Sequence, residues 1–288
     1  MNDLKKQKIL ITGAGGQLGL TLKDVLPESD RVKYVSKMQL DITDFDAVRT
    51  FFEQFQPQVC INTAAYTAVD EAEKNPEAAF KINTEAVANL AKCCVEWKTK
   101  FIHISTDYVF DGEANSPYKE TDKLNPQTVY GISKLAGEEV IKTSGLSDFA
   151  IIRTSWLYSR YGKNFYKTIL GLSKERDVIS VVNDQTGSPT YAPHLAEAIL
   201  KIAEKLSKEN SGIYHFSDLG NITWFDFAME IVKAKNLPVK VLRTTSEAFK
   251  TSAKRPKYSV LDCEKIELVF GIESNNWKQG LRKNVIFF

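Results

Sequence analysis

Five short apolar runs punctuate the first half of the chain: KILIT (8–12), RVKYV (31–35), QVCIN (58–62), KFIHIS (100–105) and FAIIRT (149–154). Their length suits strands, and their nearly unbroken apolar character suits strands covered on both faces. Between them, residues 17–26, 44–55, 76–96 and 127–144 carry helix-length patterns. In the third of these, Ala79, Ile82, Ala86, Leu90 and Cys93 recur at steps of three and four, which marks one apolar face. Such alternation predicts βαβ units and a mostly parallel sheet with helices on both sides.

Beyond about residue 155 the rhythm loosens. Helical patterns at 164–175, 191–208 and 224–236 are separated by loops such as NDQTGSP and SDLGNIT, with short strands expected at 177–182 and 213–216. No repeat, low-complexity tract or flexible linker interrupts the chain. The expected class is α/β: a Rossmann-type doubly wound parallel sheet with a smaller C-terminal substrate-binding α/β domain. Residues 1–160 form the dinucleotide-binding part, to which the chain can return later. Residues 161–288 form mainly the substrate part, with a soft boundary between them. A crevice between two packed parts is the default ligand site.

Composition narrows the partners. With 43% hydrophobic and 26% charged residues and a formal net charge of +2, nothing argues for nucleic acid or an anionic membrane. The N-terminal MNDLKKQKILITGAGG has an apolar run too short for a signal peptide or a span. Cys60, Cys93, Cys94 and Cys263 lack metal-ligand spacing and read as free thiols, so the expected setting is cytoplasmic. A small molecule is the expected partner, and a homodimer is compatible with the sequence.

ITGAGGQLG follows the first strand and opens the first helix. Gly13, Gly16 and Gly19 are spaced for a tight turn, close backbone approach to a diphosphate and close helix–strand packing, with Gly15, Gln17 and Leu18 in the same cradle. The second strand ends on Ser36 and Lys37 rather than on a carboxylate. A hydroxyl and a cation there suit a 2′-phosphate, which favours NADPH over NADH. Asp41 and Ile42 follow where side chains could meet the adenine. At the third strand's end, in NTAAYTAVD, Ala64, Ala65 and Tyr66 would let the cofactor lie against the backbone.

Proton chemistry points to a tyrosine. A phenol titrates near ~10, and lowering that by ~3 units takes about 4 kcal/mol. A lysine ammonium ~5 Å away supplies roughly 3 kcal/mol at an effective dielectric of ~20. On a helix that lysine belongs at i+4. Of the 11 tyrosines only Tyr130, in YGISK, has lysine there, whereas Tyr108 has Gly112. In a lysine-rich chain such a pair also arises by chance, so context decides. The pair follows the fourth strand, downstream of the glycine loop, and that strand ends on Ser105-Thr106.

Taken together, these features resemble the extended short-chain dehydrogenase/reductase superfamily. Within it STDYVFDG, NTAAYTAVD, LDITD, RTSWLY and NDQTGSPT resemble the dTDP-4-dehydrorhamnose reductase family, over residues 8 to about 195 and more weakly to RPKYSVLD (255–262). The resemblance implies NAD(P)H-dependent reduction of a nucleotide sugar's 4-keto group. Thr106 would bond the keto oxygen, in the place of the superfamily's serine, and Tyr130 would donate the proton. Lys134 would bind the nicotinamide ribose and lower the tyrosine's pKa. Val69, Asp107 and Tyr108 would line the sugar pocket, Trp156 would cover it, and Arg255 or Lys254 would reach the diphosphate. No metal ligand set is implied, and a divalent metal is left open.

Other residues have plainer readings. His103 reads as a satisfied core histidine, His194 and His215 likewise, and Glu138-Glu139 as a solvated helix face. Related dehydratases carry Thr-Asp-Glu where this chain has Thr106-Asp107-Tyr108, and epimerases lack the TDYVFDG context. A non-catalytic alternative is the regulatory subunit of methionine adenosyltransferase, which resembles this family. The intact hydroxyl, tyrosine, lysine and glycine loop favour the enzyme.

Overall fold

The computed structural model describes residues 4–285. Strands β1 (Ile9–Thr12), β2 (Val32–Val35), β3 (Val59–Asn62), β4 (Lys100–Thr106) and β5 (Phe149–Thr154) fall on the five apolar runs. Between them lie α1 (Gln17–Val25), α2 (Phe45–Phe55), α3 (Val69–Lys74), α4 (Pro76–Phe80), α5 (Ala86–Glu96) and α6 (Val129–Thr143). The second half holds β6 (Leu157–Tyr158), α7 (Phe165–Leu172), β7 (Val178–Val182), β8 (Thr186–Gly187), β9 (Thr190–Tyr191), α8 (Ala192–Lys205) and β10 (Gly212–His215). It ends with β11 (Ile222–Thr223), α9 (Trp224–Ala234), β12 (Lys240–Thr244), α10 (Glu264–Phe270) and α11 (Trp277–Val285).

The main sheet has the order β10-β5-β4-β3-β1-β2, and every pairing in it is parallel. Its strands are apolar throughout, yet alternate residues serve different cores. Ile9, Ile11, Ile61, Ile102 and Ile152 meet α1, α8 and α10 on one face. Leu10, Cys60, Phe101 and Ile151 meet α2, α5 and α6 on the other. The chain thus returns to the first layer after residue 160: α8 and α10 cover one face, and β10 extends the sheet beside β5. A third core joins α7, β7, α9, β12 and α11 through Tyr158, Tyr166, Ile179, Phe227, Val241 and Trp277.

The helix expected over 76–96 is interrupted. α4 and α5 are joined by a π-helical turn, Lys81–Glu85, at whose centre Asn83 is buried. Asn83 accepts from the Tyr66 amide at 2.8 Å and donates to the Tyr66 carbonyl at 3.1 Å and Ser133 Oγ at 3.0 Å. The wide turn carries that polar side chain inward, a common use of π geometry near functional sites. At α6, Thr128 caps the first turn by accepting from the Gly131 amide at 3.0 Å, which sets Tyr130 at the helix entrance.

Candidate active site

β1 pairs with β2 on one side and β3 on the other, so the order of strands reverses between β1 and β3. Ligands of open α/β sheets bind at that point, beyond the strands' carboxyl ends. Gly13 lies there with φ 72°, and a Cβ on it would stand 2.5 Å from the Ala64 amide nitrogen. A Cβ on Gly19 would stand 2.5 Å from the Gly13 carbonyl, so α1 sits directly on the turn. Gly15, by contrast, is exposed with nothing within 4 Å of where its Cβ would be. No side chain caps α1, whose N-cap is Gly16, and its first amides are free to meet an anion. This bare cradle, which side chains would fill, fits a dinucleotide's diphosphate.

The neighbouring positions differ in what they present. Gln17 fastens the loop to the second half, donating to the Leu157 carbonyl at 3.1 Å and accepting from Asn164 at 2.6 Å. Leu18 belongs to the core, which leaves its backbone to the cradle. Ser36 bonds Gln39 through its amide and hydroxyl, while the Lys37 side chain is 80% exposed and 3.9 Å from Asp41. Asp41 accepts from the Thr43 amide and hydroxyl, which hold its carboxyl below the usual range. Ile42 is buried, and Ala64, Ala65 and Tyr66 are half-buried on the β3 loop.

The second cluster lies at the end of β4. Thr106 donates to Asp107 Oδ1 at 2.9 Å and accepts from the Tyr108 amide at 3.2 Å. α6 packs closely here because Gly131 and Gly137 leave no room for a side chain against the Tyr108 and Asn83 carbonyls. Tyr130 and Lys134, one turn apart, are both buried. The rings of Tyr108 and Tyr130 meet edge to face with centroids 5.5 Å apart, and Tyr66 and Val69 pack beside them.

Burial pushes the Tyr130 phenol up, opposed by the Thr106 hydroxyl and reinforced by Asp107 and Tyr108. Lys134 is not among the groups that act on this phenol. That side chain is engaged with the Ile104 carbonyl at 2.7 Å and His103 Nε2 at 3.1 Å. Burial holds Lys134 down to about 8, against the pull of Glu138. Burial also raises Asp107 to about 6, opposed by the Thr106 and Ser259 hydroxyls. Tyr108 is pushed up to about 12 by burial, with Arg255 opposing.

Arg255 reaches this corner from the far end of the chain, donating to the Tyr108 hydroxyl at 3.1 Å and pairing with Asp70. Lys254 pairs instead with Glu113 at the surface. Trp156, half-exposed, sits in the left-handed region at φ 47° and stacks on Trp224 with centroids 3.4 Å apart. His103 is a buried, bonded core residue, as are His194, bonded to Asp218, and His215, bonded to the Tyr118 carbonyl.

Glu138 corrects the sequence reading. It is not on a solvated face but wholly buried, paired with Arg153 through two bonds of 3.0 and 2.6 Å and accepting from Ser105 at 2.5 Å. Only Glu139 faces water. A carboxylate survives such burial when a bidentate guanidinium matches it. Asp70, Asn62, Asn83, Arg153 and Trp224 were also missed. Asn62 and Asp70 open and close NTAAYTAVD and Arg153 opens RTSWLY, whereas Asn83 and Trp224 lie in no such stretch. Among the described residues no group of three or more His, Cys, Asp or Glu side chains could hold a metal ion, and no helix is long and apolar enough to cross a membrane.

A doubly wound parallel sheet, a glycine turn at its switch point and a Tyr–Lys pair beside β4 define an extended short-chain dehydrogenase/reductase. The family model described as the RmlD substrate binding domain matches residues 7–286, and the chain belongs to that family. The dTDP-4-dehydrorhamnose reductase of Aggregatibacter actinomycetemcomitans is 41% identical over 287 residues, 96% of this chain and 97% of that protein. The crystal structure of a dTDP-4-dehydrorhamnose reductase from Clostridium acetobutylicum matches with a TM-score of 0.92 at 42% identity, covering 97% of this chain and 98% of that one. Another, from Bacillus anthracis in complex with NADP, gives 0.92 at 39% identity over 98% and 99%.

Proposed function

We propose that this protein reduces the 4-keto group of dTDP-4-dehydro-L-rhamnose to give dTDP-L-rhamnose, a precursor of cell-surface polysaccharide, with NADPH as reductant and NADH as a weaker substitute. The observation that carries the reading is near full-length kinship with reductases of that name. It is joined by a hydroxyl, a phenol and an amine gathered at the carboxyl end of the sheet, with a glycine cradle two strands along. Bound NADPH supplies the hydride.

The chain's own residues do the rest. The Tyr130 phenol, kept protonated by burial, gives its proton to the 4-oxygen as negative charge develops there. The Thr106 hydroxyl donates to the same oxygen, releasing Asp107 to bond sugar hydroxyls. Lys134 holds the nicotinamide ribose, Ser36 and Lys37 the 2′-phosphate, and Asp41, Ile42, Ala64, Ala65 and Tyr66 the adenosine side. Val69, Tyr108 and Trp156 wall the sugar site, with Arg255 at the substrate diphosphate. Residues 1–160 carry the cofactor side and much of the sugar site, and 161–288 add Arg255 while α8, α10 and β10 return to the first layer; the enzyme is cytoplasmic, and a homodimer is compatible with its sequence.

The test is NADPH consumption with dTDP-4-dehydro-L-rhamnose and purified protein. Turnover to the rhamnose product is expected. A folded protein that binds NADPH but leaves this substrate unreduced would overturn the reading.

A further inference from the structure

A line of hydrogen bonds runs beneath the reaction centre from the β3 loop to Lys134. Asn62 Oδ1 accepts from the Ala64 amide at 3.1 Å and from the Thr12 hydroxyl at 2.6 Å. A backbone N–H can only donate, so the Asn62 oxygen and nitrogen cannot exchange places. The Asn62 NH2 group is thereby aimed at His103 Nδ1, 3.0 Å away, which must accept. A neutral imidazole that accepts at Nδ1 carries its proton on Nε2. That proton faces Lys134 Nζ at 3.1 Å.

An ammonium at Nζ would set donor against donor. A neutral amine resolves the contact: its lone pair accepts from Nε2–H, and its own hydrogen goes to the Ile104 carbonyl at 2.7 Å. Protonating the imidazole makes the conflict worse, since both ring nitrogens would then oppose donors. Asn62, His103 and Lys134 are all buried, so water does not relieve it.

We propose that Asn62 and His103 are positioning residues for Lys134: together they fix the Nε2–H tautomer and favour the uncharged form of the lysine amine. Burial acts in the same direction on Lys134 and also keeps the His103 ring neutral. The remaining titratable groups around Lys134 come from three elements. Glu138, one turn on in α6, favours the ammonium, but its two oxygens are already taken by Arg153 of β5 and by Ser105. Tyr130, one turn back, is a neutral phenol, and Asp107 lies past the end of β4. The consequence concerns ligand binding. A ribose hydroxyl accepts more strongly from an ammonium than from a neutral amine, so cofactor binding favours a proton, taken from solvent, on Lys134.

This consequence rests on Lys134 being the ribose-binding residue, but the first test does not. Nitrogen NMR of the cofactor-free protein should show His103 in the Nε2–H tautomer and Lys134 uncharged by about pH 9, where an ordinary lysine is still charged. An Nδ1–H tautomer, or an ammonium persisting at that pH, overturns the proposal whether or not the protein is a reductase. Asn62→Asp supplies the second test. Its carboxylate still accepts from Ala64 and Thr12 but demands a proton on Nδ1, which turns Nε2 into an acceptor for the ammonium. The pH at which NADPH affinity begins to fall, read by direct binding, should then rise by about one unit or more. A profile identical to the parent protein's overturns the proposal. If the variant does not fold, the histidine and lysine signals of the parent protein decide alone.

Discussion

At the end of β1 the chain offers Gly13, Gly15 and Gly19 around an open turn, with no side chain capping the helix that follows. At the end of β4, three strands away in sequence but two along the sheet, it offers Thr106, Asp107, Tyr130 and Lys134, all buried. One end is prepared by leaving side chains out, the other by burying polar ones. The difference follows from what each must do. A diphosphate needs backbone N–H groups and room, which glycine gives directly. A proton donor needs a chosen protonation state, which only surroundings of low polarity and fixed partners can set.

The largest expected effect tests the second end. Tyr130→Phe should lower kcat by about 10²- to 10⁴-fold, while NADPH affinity stays within about twofold of the parent value. Tyr108→Phe loses one bond to Arg255 and should act on KM, with kcat nearly unchanged. Steady-state kinetics on both variants checks the pair. A larger kcat loss at Tyr108 would exchange their roles.

Next comes the support behind that end. Glu138→Gln leaves the Arg153 guanidinium buried without its anion, which should cost about 3–5 kcal/mol of stability in a urea titration. Adding Arg153→Met should recover much of the loss, because the remaining group no longer needs a counter-charge. A Glu138→Gln protein as stable as the parent would mean that the pair contributes little to the fold.

These two tests also show what the sequence could and could not tell. The glycine loop, the strand-end Thr106 and the Tyr130–Lys134 spacing are local, each spanning a turn or less, so their geometry is written in neighbouring residues. Glu138 and Arg153 sit on different elements, and Glu138 beside Glu139 has the look of a wet helix face. Only the approach of β5 and β4 to α6 makes it a core position. Asn62 and His103 are joined by strand register, and Asp70 and Arg255 by a return of the chain from its far end. The same limit applied to α8 and β10. Their patterns gave a helix and a strand, but an apolar face shows that something covers it, not what. The break at Lys81–Glu85 leaves no periodic signal because Asn83's partners, Tyr66 and Ser133, lie outside its own helix.

Returning to the first end, Gly13 and Gly15 should separate folding from binding. Gly13→Ala forces a side chain into the Ala64 backbone at positive φ, so stability should fall by more than the ~1–2 kcal/mol that the left-handed conformation costs alone, with cofactor affinity falling as well. Gly15→Ala meets no protein atom, so its melting curve should match the parent's within about 0.5 kcal/mol. If a diphosphate lies against this backbone, NADPH affinity should nonetheless drop at Gly15. An unchanged affinity would move the diphosphate elsewhere.

The smallest effect concerns the edge of the cradle. Lys37 is exposed at the end of β2, and its nearest anion, Asp41, already has its carboxylate bonded to Thr43. An added 2′-phosphate is therefore the stronger attraction for this ammonium, although solvent screens it. Lys37→Ala should weaken NADPH binding by about fivefold at low salt and leave NADH binding unchanged. The gap should shrink as ionic strength rises past the point where the screening length falls below about 10 Å. Equal losses for the two cofactors would show that Lys37 answers the diphosphate rather than the 2′-phosphate, and the preference for NADPH would then have to be sought at Ser36 and its bond to Gln39.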